Sequence, residues 1–189
     1  MAHRLWPAPL FRGHWKSLAD VKTKRTRADW FSRAVLLGTV ALLPVGWLAG
    51  WSVQAPVPIL SGVALLGGAL IGSFGQINTL RLKMTDRRGD TDPTTKIERD
   101  SVDESAAHLL TAAFMCGVSA ALLTLGINLS PDLTDEALRG SPAVHGFWAA
   151  ASIAAVSYTF VTFLIAVPRL YQAYVSVNDP SDEVSGYSR

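Results

Sequence analysis

Few side chains in this sequence can do chemistry, so the first question is whether any of them stand in workable sets. Glu104 and His108 are four residues apart, the spacing at which two side chains share one face of a helix and can reach one metal ion. Two ligands do not complete a metal site, so the pair reads as a surface pair near a helix start. His108 and His145 are expected at opposite ends of apolar segments, where one subunit cannot bring both to a single haem. The stretch "DTDPTT", Asp90 to Thr95, has the letters of an Asp-x-Asp-x-Thr phosphotransfer motif. That chemistry needs its aspartate at the end of a buried apolar strand, and here "MTDRRG" precedes it, so the match reads as accidental. Its aspartates also fall short of calcium-loop spacing.

Other reactive patterns are missing from the sequence. It holds no phosphate-cradling glycine loop, no Cys-x-x-Cys and no nucleophile elbow. A single cysteine, Cys116, leaves no intramolecular disulfide. The remaining polar candidates are Gln76, Asn78, Asn128, Tyr158 and Thr159, and such groups within apolar helices more often bond between helices than catalyse. No carboxylate lies inside an apolar stretch, which speaks against proton-coupled transport. The sequence therefore reads as a non-enzyme, with no catalytic, cofactor-binding or metal-binding residues assigned and no cofactor implied.

The elements around these residues are unusual in their lack of charge. Of 189 residues, 17% are charged, below the ~25% usual for soluble domains, and the charges are segregated. None falls between Arg33 and Arg81, between Glu104 and Asp132, or between Arg139 and Arg169. A helix on a soluble protein shows charge on its wet face every turn or two. A bilayer core needs roughly 20 apolar residues per crossing. The first stretch is long enough for two crossings and breaks at Pro56 and Pro58, which stop a helix. The expected fold is an all-α membrane protein of four transmembrane helices near 31–52, 57–85, 105–128 and 144–176, arranged as two hairpins. The transmembrane domain is 31–177, with a loop at 86–104 and a flexible polar tail at 178–189.

Basic residues set the orientation. Sixteen of the seventeen Lys and Arg residues fall before or at the start of helix 1, between helices 2 and 3 or at their facing ends, or at or after the end of helix 4; Arg139 is the exception. Both termini are therefore expected in the cytoplasm. The favoured location is a bacterial inner membrane, ahead of a mitochondrial inner membrane. Residues 1–30 form a basic arm in which Phe11, Trp15 and Leu18 follow helical spacing. That predicts a short amphipathic helix lying in the inner headgroup layer.

Close helix packing in lipid favours small residues. Gly46 and Gly50, Gly68 and Gly72, the run Ala113, Gly117 and Ala121, and the run Gly146, Ala150 and Ala154 each repeat every four residues. They are the expected packing positions. Arg12, Lys16, Arg81, Lys83, Arg87 and Arg88 are expected to face anionic inner-leaflet lipids or a partner. The loop from Asp86 to Glu104 mixes seven acidic with four basic residues, a poor surface for nucleic acid. Partners are then the bilayer, other membrane subunits or further copies of the chain. Three functions remain: an accessory or scaffolding subunit of a larger membrane assembly; a homo-oligomeric effector or pore, toxin-like or anti-phage, controlled through its cytoplasmic layer; and, behind both, a membrane enzyme or transporter.

Overall fold

The computed structural model describes residues 7–18, 27–87, 93–129 and 143–178. They form α1 (Ala8–Ser17), α2 (Arg27–Leu48), β1 (Ser52–Val53), α3 (Pro56–Arg87), α4 (Pro93–Leu129), β2 (Val144–His145) and α5 (Gly146–Asn178). Four helices are long and apolar enough to cross a membrane, through Trp30–Leu48, Pro56–Thr79, Val102–Leu129 and Gly146–Tyr171. The largest departure from the expected bounds is α4, which begins at Pro93, inside the segment read as loop. Pro at a first helical position suits the helix geometry and gives up only an amide that has no helical partner. The charged turns that follow precede the apolar span Val102–Leu129. Residues 179–189, read as a flexible tail, lie outside the described residues.

Helix α2 stops in a specific way. The amide of Trp51 donates to the carbonyl of Gly46 at 2.9 Å, and that of Gly50 donates to Trp47 at 3.3 Å. Gly50 takes φ 67°. These are the bonds of a Schellman closure, which needs a left-handed residue just past the helix. The chain then forms β1, which pairs antiparallel with β2 through Ser52 with His145 and Val53 with Val144. This ribbon ties the α2–α3 connection to the start of α5. Val53, Val144 and Ala149 make a buried cluster there, with Ile127, Trp148 and Ile153 against it.

Helices α4 and α5 pack on each other along the centre. α3 lies against α4, and α2 lies against α5. The expected arrangement in two hairpins is not confirmed: α4 and α5 pack together, while α2 and α3 have their close approaches on α5 and α4. On α3, Val63, Leu70 and Ile77 are buried at intervals of seven; on α4, Val102, Leu109 and Cys116 are spaced the same way. A seven-residue seam between long helices is the pattern of near-parallel packing. α2 approaches α5 where Gly46 meets Ala150. The outer helices keep broad apolar faces, including Leu37, Val40, Val45 and Leu48 on α2 and Leu65 and Ile71 on α3.

Candidate functional site: a buried histidine pair beneath the N-terminal helix

The amphipathic helix read at the N-terminus forms as α1, but it does not lie apart from the other helices. It packs on α4. The ring of Phe11 meets Phe114 edge-on at 5.8 Å. Leu18 is fully buried with Leu36 of α2 and Tyr158 of α5, flanked by Trp15, Met115, Val161 and Ile165. Phe114 and Tyr158 each lie near the middle of an apolar span. α1 is thus a wedge seated in the groove between α2, α4 and α5.

His14 lies on the buried face of this wedge. Its ring and that of His108 are both fully buried, with Nδ1 to Nδ1 at 2.7 Å and the rings nearly perpendicular, at 86°. Such a contact requires one ring to carry Nδ1–H and the other to present a lone pair. Tyr158 completes the wall, with its ring 6.3 Å from His14. Burial pushes the His14 pKa down to about 4, and the charge of Arg169 adds to that shift. Arg169 itself faces Glu104 at 3.5 Å, both partly exposed. From α2, Arg33 donates through Nη2 to the carbonyl of Trp15 at 3.3 Å, a cation placed at the C-terminal turn of α1, where the helix dipole favours it.

The sequence reading placed Glu104 and His108 together, but the structure separates their roles. Glu104 turns to Arg169, while His108 turns to a histidine 94 positions away. Among the described residues, no three His, Cys, Asp or Glu side chains gather as a metal site. Chemically, the constellation is a proton-sharing pair in a low-dielectric seat, surrounded by aromatic rings.

Four other buried hydroxyls are absorbed locally, while Ser152 Oγ is buried without a hydrogen bond. Thr111 donates to the Ala107 carbonyl and Ser119 to Met115, both at 2.8 Å. Thr159 donates to Ala155 at 2.9 Å and Thr162 to Tyr158 at 2.8 Å. Back-bonding of this kind satisfies a hydroxyl without a second helix. Asn128 donates to Thr124 at 2.7 Å. Gln76 and Asn78 are exposed on α3, and His145 lies in β2.

The expected packing positions divide by face. Gly46 is buried, and a Cβ there would stand 2.7 Å from the Trp51 ring and 3.1 Å from the Ala150 Cβ. Ala150 and Ala154 are buried, and Ala113 packs beside the α3–α4 core. Gly50, before β1, and Gly146, after β2, hold positive φ at the same end of the ribbon. Gly68, Gly72, Gly117 and Ala121 are exposed in the single chain. Two close approaches were not read from the sequence: Gly67 against Cys116, and Gly126 against Val144 and Trp148. Of the basic residues, Arg12 is exposed, and Arg81 clasps Asp103 with both ends of its guanidinium, Nη2 to Oδ2 at 2.9 Å. Lys16, Lys83 and Arg87 lie on helices with side chains outside the description, and Arg88 lies outside the described residues.

The chain was compared with known protein families, with characterised proteins and with solved structures. It matches none of them.

Proposed function

We propose that this chain is a non-catalytic integral membrane protein, an accessory or scaffolding subunit of a larger membrane assembly. In this reading it spans a bacterial inner membrane with both termini in the cytoplasm, as the one-sided distribution of Lys and Arg favours. The observation that carries the reading is the outer face of α3. Gly68, Gly72 and Gln76 lie four residues apart and exposed along it, and a Cβ at Gly68 or Gly72 would meet nothing within 4 Å. A partner helix laid there approaches the backbone closely and offers the Gln76 carboxamide a hydrogen bond in place of hydrocarbon. The hydroxyls of Thr111, Ser119, Thr159 and Thr162, by contrast, are bonded within their own helices. That disfavours a polar conduit through the subunit.

The homo-oligomeric effector or pore is the second reading, because the same α3 face serves a second copy as well as a foreign helix. Native mass measurement in nanodiscs, with co-purifying proteins identified and ion flux measured in liposomes, separates the two. A defined complex with another membrane protein and no flux supports the scaffold. A homo-oligomer with flux supports the effector. A lone chain without partners or flux overturns both.

A further inference from the structure

The contacts that seat α1 are of two kinds. The first is apolar: Phe11 on Phe114, and Leu18 among Leu36 and Tyr158. Where the surroundings are lipid tails, which are as apolar as leucine, such contacts supply little drive for one helix to hold another. The second kind is polar: the His14–His108 bond at 2.7 Å and the Arg33 bond to the Trp15 carbonyl. The polar joints therefore weigh heavily in whether α1 stays seated, and one of them titrates.

We propose that α1 is a proton-released wedge, unseated from the groove between α2, α4 and α5 when the His14–His108 pair takes up protons. A first added proton places a charge in a fully buried site. A second turns both Nδ1 atoms into donors, destroys the bond and leaves two cations in contact. Among the described residues, the charged groups beside the pair add repulsion to this cost. α5 contributes the Arg169 guanidinium and the Tyr158 ring, while Arg33 of α2 bonds to the Trp15 carbonyl. α4 contributes Glu104, whose carboxylate is already engaged by Arg169 at 3.5 Å. The Arg169 charge acts on His14 and leaves the seat hostile to added positive charge. A released α1 has its histidine in a wetter setting, where the ordinary value of 6.5 applies, against about 4 when seated.

The sign follows from that ordering. Seating is fully supported above about pH 6.5 and weakens as pH falls toward 4, by up to about tenfold in the seating equilibrium per pH unit for each proton taken up. The inference stands whichever reading of the whole protein holds, because it concerns contacts within one chain.

The test uses the full chain in nanodiscs, with Cys116→Ala as background and spin labels at Arg12→Cys and Tyr174→Cys. Both label sites are exposed. The distance between labels is measured from pH 7.5 to 4.5. The seated distance should dominate at pH 7.5, fall by half or more at pH 4.5 and return on neutralisation. A double variant, His14→Gln with His108→Gln, should keep the seated distance throughout. An unchanged distance in the parent, or release of the double variant over the same pH range, overturns the proposal. Should the double variant not assemble, His14→Asn alone decides: its release curve must be shallower than the parent's, and an identical curve sinks the idea.

Discussion

Gly67 on α3 stands so close to Cys116 on α4 that a Cβ at position 67 would lie 3.1 Å from the cysteine Cβ and 3.8 Å from its Sγ. Its neighbour Gly68 faces open space. One residue along a helix is a turn of about 100°, enough to move a glycine from a packed seam to an outer face. Gly67→Leu should therefore destabilise the α3–α4 contact by ~1–3 kcal/mol, the usual penalty of overpacking. Gly68→Leu should leave stability within ~0.5 kcal/mol, as for a substitution away from packed features. Thermal unfolding in detergent reads both. Equal losses would mean that the face assignment of α3 is wrong.

The same pair of substitutions addresses the proposed partner. If the Gly68, Gly72 and Gln76 ridge receives another helix, Gly68→Leu should preserve the fold yet lower recovery of the associated protein or copy. Quantifying the native complex at matched expression checks this. Undiminished recovery would place the contact on another surface.

These two neighbours also explain what the sequence could and could not disclose. Charge-free runs are long, local signals, and all four apolar helices are legible from Arg33, Arg81, Glu104 and Arg169 as boundaries. Glycine spacing is weaker: Gly68 and Gly72 repeat every four residues, but nothing in that repeat says which face meets α4. The seven-residue recurrence of Val63, Leu70 and Ile77 carried that information and points to the seam beside Gly67. The N-terminal helix was visible in Phe11, Trp15 and Leu18, and His14 falls on that same apolar face, three residues after Phe11 and four before Leu18. A histidine there was a readable hint of a buried partner. That the partner is His108 was not readable, because no periodicity connects positions 94 apart. Nor could the sequence foretell that α2 packs on α5, since that choice depends on which close approaches fit in three dimensions.

Gly126 provides a sharper packing test. A Cβ there would fall 2.6 Å from Val144 Cγ1 and 3.1 Å from Trp148 Cβ, and valine is stiff about its first side-chain torsion. Gly126→Ala should lose ~1–3 kcal/mol despite the better helix propensity of alanine. Adding Val144→Ala removes the clashing methyl and should recover part of that loss. A double-mutant cycle on thermal unfolding measures the coupling, and additive losses would show that the two residues do not touch.

The Arg81–Asp103 clasp joins the end of α3 to the early part of α4, but both side chains are about half exposed. Screening keeps such pairs below ~1 kcal/mol. Arg81→Ala should lower stability only slightly, and the difference from the parent should shrink in high salt. A large, salt-independent loss would mean that the arginine stem contributes packing beyond the ion pair.

Arg169 offers a prediction in which the sign distinguishes electrostatics from simple damage. Its charge helps hold the seated His14 below the ordinary histidine value. Arg169→Gln removes that repulsion together with the ion pair to Glu104. The seated pKa then rises toward the released one, and acid acts on the seating equilibrium only through the gap between them. A smaller gap means that α1 stays seated to lower pH in the variant than in the parent. Glu104→Gln should do the reverse, because it removes a negative charge beside the guanidinium, widens the gap and moves release to higher pH. The spin-label titration across pH 7.5 to 4.5 reads both midpoints. Variants that merely loosened the inner packing would shift the same way, toward easier release, so opposite displacements identify the electrostatic cause. Displacement of both toward higher pH would assign the effect to lost packing.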